Sequence, residues 1–367
     1  MSDLYDIVAH YAGAGDHRTG TEVDAKVVDW LDGLLLESGA DIIHHPYEFS
    51  MFIGNAQGKG AAEGIQLEPL YYSAKGSHKD NSPFITTIAF DDEHGDAVIS
   101  QRLDEISAQA QAAGAAIAIA ATLTASGNVC AINRAPALPG QVPVCLAPGR
   151  ALAQLRAGQP EVHFQADISS GRSENLSAFF PCASSAHLPL VITTPLTGWF
   201  ACAGERGTGI AIAISVAQEL SKQVPVLLVM PTGHELGYYG AAKFVEVFDR
   251  PICGVLHLGS CIADKTALGN GGAMRAVTNL KDAAFEQVCD HLGGLNISPE
   301  QPCVPTAPEY WIGESELWAP RGAPMISIAG TSDVFHTPDD RAELVTSPEI
   351  LEAVRACVFK ASQALIR

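Results

Sequence analysis

The stretch that most constrains the fold is an unbroken apolar run at residues 226–230, bounded by Pro225 and Pro231. The run reads VLLVM, which is typical of a strand buried on both faces of a sheet. His234 and Glu235 lie in the turn that follows, and helical spacing resumes after them. We therefore predict that both side chains stand at the carboxyl end of a strand, where open α/β sheets place their ligands.

The adjacent His-Glu pair has two interpretations. Imidazole and carboxylate groups are common zinc ligands, although the H-E-x-x-H signature would need a second His where Tyr238 stands. In the structural interpretation, Glu235 lies at the positive end of a helix dipole and His234 caps the first turn. These residues alone leave both interpretations open.

Charge and composition exclude several classes of protein. The net charge of −19 argues against nucleic-acid and anionic-membrane partners, and 47% hydrophobic with 17% charged residues favours a compact globular chain. The first ten residues lack a basic segment, and no apolar stretch reaches the roughly 20 residues of a spanning helix. We expect a cytoplasmic location, and the nine cysteines without a C-x-x-C pair favour reduced thiols.

The second half of the chain alternates between strand and helix patterns. Apolar strand candidates lie at residues 190–196, 224–230, 254–259 and 324–330, and helical stretches separate them. This alternation predicts an α/β fold with a mostly parallel, doubly wound sheet. Two helical stretches, 3–15 and 21–38, and a strand near 41–52 precede it, with Thr21 as an expected N-cap. We predict one domain from residues 1–53 and 172–367.

Residues 54–171 are predicted to form a smaller inserted α/β domain. Its clearest part is an amphipathic helical pattern that ends in A-G-A and leads into the apolar strand AIAIAA, with a V-P-V strand further on. This order resembles the protease-associated domain, and the resemblance covers the insertion only.

The order of motifs along the chain resembles the zinc-dependent exopeptidases, a family that includes leucyl aminopeptidases and glutaminyl cyclases. The matching segments are PLTGW at 195–199, ERGTG at 205–209, GHELGYYG at 233–240, LHLG at 256–259 and FHTPDD at 335–340. The resemblance spans nearly the whole chain. It implies an aminopeptidase-type α/β fold, often with a protease-associated insertion.

The resemblance carries the metal ligands over only in part. The family's first zinc site lacks its His and Asp here, because the corresponding segments hold Thr197 and Gly259. Its second site corresponds to Glu205, Glu235 and His336, which implies a single zinc ion. Each residue also has a plain structural interpretation, such as a Glu205–Arg206 salt bridge or a turn histidine.

The resemblance also implies roles around the metal. The family's carboxylate general base corresponds to His234, and an imidazole also accepts protons near neutral pH. Arg206 would hold a substrate carboxylate, and the aromatic side chains Trp199, Tyr238 and Trp318 would line an apolar pocket. The loop 313–316 resembles one that borders the substrate site, whereas His257 is expected in the core.

The predicted function is hydrolysis of an amide or peptide bond in a small molecule or short peptide, with Glu205, His234 and Glu235 as the catalytic groups. Two alternatives remain open: a non-catalytic relative that binds a ligand in the same cleft, and a metal-independent hydrolase. A homodimer is also consistent with the sequence.

Overall fold

The chain is described here by a computed structural model that covers residues 3–89, 95–182, 187–269 and 274–366. The strands in these residues are β1 (Asp41–Gly60), β2 (Glu68–Pro69), β3 (Gly76–Asp80), β4 (Phe84–Ala89), β5 (Ala118–Leu123), β6 (Val144–Pro148), β7 (Pro160–Phe180), β8 (Leu190–Thr193), β9 (Val226–Met230), β10 (Gly254–Leu258), β11 (Met274–Thr278), β12 (Pro299–Glu300) and β13 (Met325–Gly330). The helices are α1 (Leu4–Gly13), α2 (Glu22–Glu37), α3 (Gly95–Ala112), α4 (Leu152–Ala157), α5 (Thr208–Leu220), α6 (Tyr239–Val247), α7 (Lys265–Gly269), α8 (Asp282–Gly293), α9 (Ala342–Val345) and α10 (Pro348–Ser362).

The larger sheet has the order β1-β7-β9-β8-β10-β13-β11-β12, with β3 also paired to β7. Its centre, β9-β8-β10-β13, is parallel, whereas β1, β7 and β9 pair antiparallel, as do β13 and β11. The predicted α/β fold is confirmed. The sheet is mixed, because β7 on one side and β11 with β12 on the other run against the parallel centre.

Both faces of the central strands are buried, as the apolar sequence predicts. Leu190 and Ile192 of β8 belong to the core beneath helices α1, α2, α5, α8 and α10, whereas Val191 packs with Trp318 on the opposite face. The run β9 is likewise buried at all five residues. Side chains that alternate between two cores explain why β9 contains no polar position.

The first two helices follow their sequence signals. The predicted cap residue Thr21 accepts a hydrogen bond from the backbone N–H of Asp24 at 3.2 Å, and α2 begins at the next residue. Such a cap satisfies one of the N–H groups that a helix start leaves unpaired.

The smaller unit contains a four-stranded sheet of order β2-β6-β5-β4, in which β4, β5 and β6 are parallel. Two long strands connect it to the larger sheet, since β1 and β7 pair from Asp41↔Phe179 to Gly60↔Pro160. The predicted domain boundaries at residues 53 and 172 fall inside these strands. The resemblance of this unit to the protease-associated domain stays a prediction.

No helix within the described ranges is long and apolar enough to cross a membrane. Four of the nine cysteines are buried: Cys130, Cys145, Cys202 and Cys261. Their reduced state stays a prediction. The cytoplasmic location and the homodimer stay predictions.

Candidate active site

The candidate site lies where the parallel strands β8, β9, β10 and β13 end, because parallel neighbours finish on one edge of a sheet. Most of the predicted site residues follow these ends. They lie in a π-helical turn at Ala203–Gly207, a 3₁₀ turn at His234–Leu236 and the loop after β13 that contains His336.

Two backbone positions fix the turns that present these side chains. Gly233 has φ +79°, and a Cβ there would stand 2.9 Å from the backbone nitrogen of Gly240, so only glycine fits. His336 also adopts a left-handed backbone, with φ +56°. This conformation is uncommon outside glycine and points to a residue held in place by its contacts.

The first group of contacts, here named the Glu205 cluster, consists of Cys202, Glu205, Arg206 and His336. Oε1 of Glu205 lies 2.6 Å from Nη2 of Arg206 and 3.1 Å from Nε2 of His336. The Arg206 contact is an ion pair whose N–H direction is not aligned as a hydrogen bond. Cys202 donates its thiol proton to Oε2 at 3.3 Å. Both oxygens of Glu205 are therefore occupied.

The Glu205 cluster is closed to solvent and internally charge-balanced. Glu205 and Arg206 are completely buried, and His336 is 1% exposed. Burial would raise the pKa of Glu205, but Arg206 and His336 outweigh it and lower that pKa to about 2. Glu205 is thus an anion that the neighbouring cations hold in its charged form.

Glu235 is buried in a different set of contacts. Its Oε1 accepts a hydrogen bond from the backbone N–H of Thr19 at 2.6 Å, and its Oε2 accepts one from Oγ1 of Thr197 at 2.9 Å. Burial raises the pKa of this carboxyl group above its usual range, while the same hydrogen bonds lower it in part. Both Glu235 oxygens serve to join the N-terminal segment to the β8 and β9 turns.

A cavity of about 160 Å³ adjoins these turns and is here named the His234 cavity. The lining residues come from the ends of β9, β10 and β13 and from the smaller unit: Asn133, His234, Tyr238, His257, Gly259, Ser260, Gly313, Ala329 and Phe335. Ligand sites for drug-sized molecules usually measure about 300 to 1,000 Å³. The His234 cavity is therefore suited to a small molecule or a single residue of a larger one.

His234 is the titratable side chain best placed to act in this cavity. Its Nδ1 lies 2.9 Å from Oε1 of Glu314, and its side chain is 12% exposed, whereas Glu314 is fully buried. No hydrogen bond joins its Nε2 to another described residue. Burial, followed by the charges of Arg206 and His336, lowers the pKa of His234.

Glu314 and His257 each have a buried polar atom without a hydrogen-bond partner, and His257 lines the cavity. Burial raises the pKa of Glu314 to about 8, and its Oε2 has no hydrogen-bond partner among the described residues. His257 contacts Oγ of Ser327 through Nδ1 at 2.9 Å, and its Nε2 is buried and also unpaired. Burial and then Arg206 lower the pKa of His257 to about 3, so its ring is neutral at pH 7.

The structure separates the predicted substrate residues into two groups. Tyr238 lines the His234 cavity. Trp199 is 2% exposed and donates to Oδ1 of Asn133 at 2.9 Å, and Trp318 is 2% exposed and packs near Phe244. Arg206 lies in the Glu205 cluster and does not line the cavity. Substrate binding by Trp199, Trp318 and Arg206 stays a prediction, and their positions in the interior do not favour it.

No sequence pattern indicated Asn133 as a site residue; it comes from a loop of the smaller unit, 101 positions before His234. His257 was expected only in the core, yet it borders the cavity. Glu314 lies in the 313–316 loop that was expected near the substrate, but its pairing with His234 was not foreseen. The polar character of a histidine in an otherwise apolar strand, GVLHL, was the one available clue for His257.

The three predicted zinc ligands do not fit a zinc ion in this arrangement. Among the described residues, the potential ligands that lie within 4.8 Å of one another are Cys202, Glu205 and Asp340, a group that contains neither Glu235 nor His336. Arg206 cannot lose its proton. At an effective dielectric constant of about 20, a dication about 4 Å from its guanidinium would be repelled by about 8 kcal/mol.

One contact is nevertheless typical of a metal ligand. Nδ1 of His336 lies 3.1 Å from the carbonyl oxygen of Ala131, an interaction that in metal sites orients the other ring nitrogen toward the ion. That other nitrogen here meets Glu205, which Arg206 already neutralises.

Comparison with known proteins identifies the fold. No family model matches the sequence, and no curated protein sequence matches it. Among solved structures, BSAP, a zinc aminopeptidase from Bacillus subtilis, is similar with a TM-score of 0.73 and 16% identity, covering 99% of this chain and 94% of that chain. A peptidase M28 precursor from Shewanella amazonensis gives a TM-score of 0.70, 16% identity and coverage of 99% and 93%.

A glutaminyl cyclase from Porphyromonas gingivalis is also similar, with a TM-score of 0.52, 12% identity and coverage of 98% of this chain and 96% of that chain. These structures confirm the expected resemblance at the level of the fold. The shared architecture includes both units of the chain, since the alignments cover nearly all of it.

Proposed function

We propose that this protein hydrolyses an amide or peptide bond in a small substrate, with His234 as the general base in the His234 cavity. One observation carries the proposal: Glu314 holds Nδ1 of His234 at 2.9 Å, while the other ring nitrogen has no partner beside the cavity. A base oriented by a buried carboxylate and open on its second nitrogen is the arrangement that general-base catalysis requires. The similar structures are aminopeptidases and a peptidase, which supports the reaction type.

The chemistry follows from the positions of these groups. Nε2 of His234 takes a proton from a water molecule as the water oxygen bonds to the substrate carbonyl carbon. The imidazolium then gives that proton to the leaving nitrogen as the C–N bond breaks. Ionised Glu314 accepts the Nδ1–H bond and stabilises the imidazolium, so the pair returns to its starting state.

Asn133 is suited to stabilise the negative charge that develops on the carbonyl oxygen. Its Oδ1 accepts the indole N–H of Trp199, which makes the remaining amide group an N–H donor. Asn133 lines the same cavity as His234, as does the hydroxyl-bearing Tyr238. Donors placed where oxyanion charge develops contribute several kcal/mol to catalysis, about 2.7 to 4 for one donor in a protease.

The unpaired acceptors favour a substrate with a free amine. Nε2 of His257 lines the cavity, buried and without a partner, and a primary ammonium group would supply an N–H donor to it, next to the negative charge of ionised Glu314. The small cavity volume limits the group that precedes the scissile bond to one small residue. We therefore favour amides of small amino acids and short peptides with a free N-terminus.

A single zinc ion stays a prediction for this chain. The neighbouring zinc aminopeptidases and the metal-ligand orientation of His336 favour it, whereas the ion pair of Glu205 with Arg206 opposes it. No step above passes through a metal.

A turnover assay tests the proposal. Glycinamide, alaninamide and short peptides, each with and without N-acetylation, are incubated with the protein and the released amine is quantified. We expect turnover of the free amines and little of the acetylated forms. Binding of these compounds without turnover would instead support the non-catalytic alternative. If the compounds neither bind nor turn over, the His234 cavity is not the site of such a reaction.

A further inference from the structure

The Glu205 cluster contains a permanent cation at the place where a bound metal ion would be expected. Three contacts hold the Arg206 side chain: Nε donates to the carbonyl oxygen of Thr197 at 2.9 Å, Nη2 lies 2.6 Å from Oε1 of Glu205, and Nη1 lies 3.5 Å from the Glu205 carbonyl oxygen. Neighbouring residues on a helix normally point apart. Here the arginine folds back onto the residue that precedes it.

The Arg206 side chain packs against the backbone at Gly198. A Cβ at Gly198 would lie 3.5 Å from Nε and 3.6 Å from Cγ of Arg206, which are ordinary packing distances, but only 2.5 Å from Sγ of Cys202. Glycine at this position therefore leaves room for the Cys202 thiol. The guanidinium is completely buried, which excludes exchange with solvent cations in the folded state.

His336 is a second side chain on the same carboxylate oxygen. Its Nδ1 lies 3.1 Å from the carbonyl oxygen of Ala131 and its Nε2 lies 3.1 Å from Oε1 of Glu205, so both ring nitrogens meet oxygen atoms. A zinc ligand at His336 would need an unprotonated Nε2, and the carboxylate that it faces already has its counter-ion.

We propose that Arg206 is the resident cation of this site, and that its ion pair with Glu205 takes the place of a bound metal, so that the folded protein binds no zinc there. Glu205 and His336 would then be two potential zinc ligands that cannot bind the ion while Arg206 is paired with Glu205. This inference concerns metal binding alone and does not depend on whether the protein turns over a substrate.

The test compares zinc binding by the wild type with that of Arg206→Met and Arg206→Lys. Each protein is treated with a chelator, titrated with zinc at neutral pH by calorimetry, and melted with and without zinc. We expect the wild type and Arg206→Lys to show no zinc site and no change in Tm. Arg206→Met removes the cation, and we expect it to bind about one zinc per chain and to gain stability with zinc.

Two further variants show whether any zinc lies in the Glu205 cluster. Combining Arg206→Met with His336→Gln should abolish the acquired site, whereas combining it with Cys303→Ser, which alters an exposed thiol, should keep it. If Arg206→Met folds only when zinc is present, that result also supports the proposal.

A wild-type protein that binds one zinc, and loses it on His336→Gln alone, would overturn the proposal. So would an Arg206→Met variant that folds without zinc and still binds none. If Arg206→Met does not fold under any condition, the wild type decides. A zinc site in the wild type that depends on His336 refutes the proposal. Absence of zinc binding in both the wild type and Arg206→Lys supports the proposal.

Discussion

The two groups of buried ionisable residues at the strand ends differ in whether they are complete. In the Glu205 cluster, each carboxylate oxygen already has a partner, and the positive charge is supplied by the chain itself. At the His234 cavity, a nitrogen of His234, a nitrogen of His257 and an oxygen of Glu314 have no partner among the described residues. Buried ion pairs whose atoms all have partners contribute to the stability of the fold. Buried polar atoms without partners beside a cavity are candidates for binding a ligand.

The comparison predicts that substitutions in the two groups have different effects. Changes in the Glu205 cluster should affect the free energy of unfolding, and changes at the His234 cavity should affect turnover. Similar stability and kinetic losses in both groups would show that the distinction is wrong.

The largest expected effect is that of His234→Gln on turnover. Glutamine cannot accept the proton, so kcat on the best small amide should fall by about 10² to 10⁴, the usual contribution of a general base. His163, which is partly exposed on β7, provides the matched control, and His163→Gln should leave kcat unchanged. An unchanged rate in His234→Gln would remove this residue from the mechanism, provided that melting confirms the variant is folded.

Next in size is the effect of Glu205→Gln on stability. This change leaves Arg206 buried without a counter-ion, and loss of one partner of a buried ion pair typically costs about 3 to 5 kcal/mol. Urea unfolding monitored by circular dichroism measures it. A loss below about 1 kcal/mol, which is typical of an exposed ion pair, would contradict the description of this cluster as closed.

Cys202→Ala tests the same cluster with a smaller change. It removes the hydrogen bond from the thiol to Oε2 of Glu205, and hydrogen bonds to charged groups contribute about 1.5 to 3 kcal/mol. We expect that loss in the free energy of unfolding, with kcat/KM for the small amide unaltered. Cys145→Ala, at another buried thiol, is the control for the loss of side-chain volume; equal losses in the two variants would show that the bond to Glu205 adds nothing.

The smallest predicted effect is the pH dependence of turnover. Below its pKa of about 8, the Glu314 carboxyl group is protonated and donates a hydrogen bond to Nδ1 of His234. The single proton of the neutral ring then lies on Nε2, so Nε2 cannot act as the base. Above that pH, ionised Glu314 accepts from Nδ1 and frees Nε2. Turnover should therefore rise about tenfold between pH 7 and pH 9.

The variant Glu314→Gln checks this assignment, because glutamine does not titrate. Its pH–rate profile should lose the rise near pH 8. A wild-type profile that is flat over this range, or a rise that persists in Glu314→Gln, would assign the pH dependence to another group.

The sequence by itself determined the frame of the site. Apolar runs such as β9 can satisfy their side chains only inside a doubly covered sheet, and the turns that follow parallel strands must meet at one edge. The positions of Glu205, His234, Glu235 and His336 near this edge could therefore be predicted. Local signals were equally sufficient for the Thr21 cap and for the start of α2.

Only the tertiary structure decided which of these side chains meet. Glu235 is occupied by Thr19, which is 216 residues away in sequence, and Asn133 reaches the cavity from the smaller unit. The ion pair of Glu205 with its neighbour Arg206 is held by the bond of Nε of Arg206 to the carbonyl oxygen of Thr197. Sequence periodicity sets where the backbone runs and which face a residue shares, but the pairing of buried charges depends on rotamers and on segments brought together by folding.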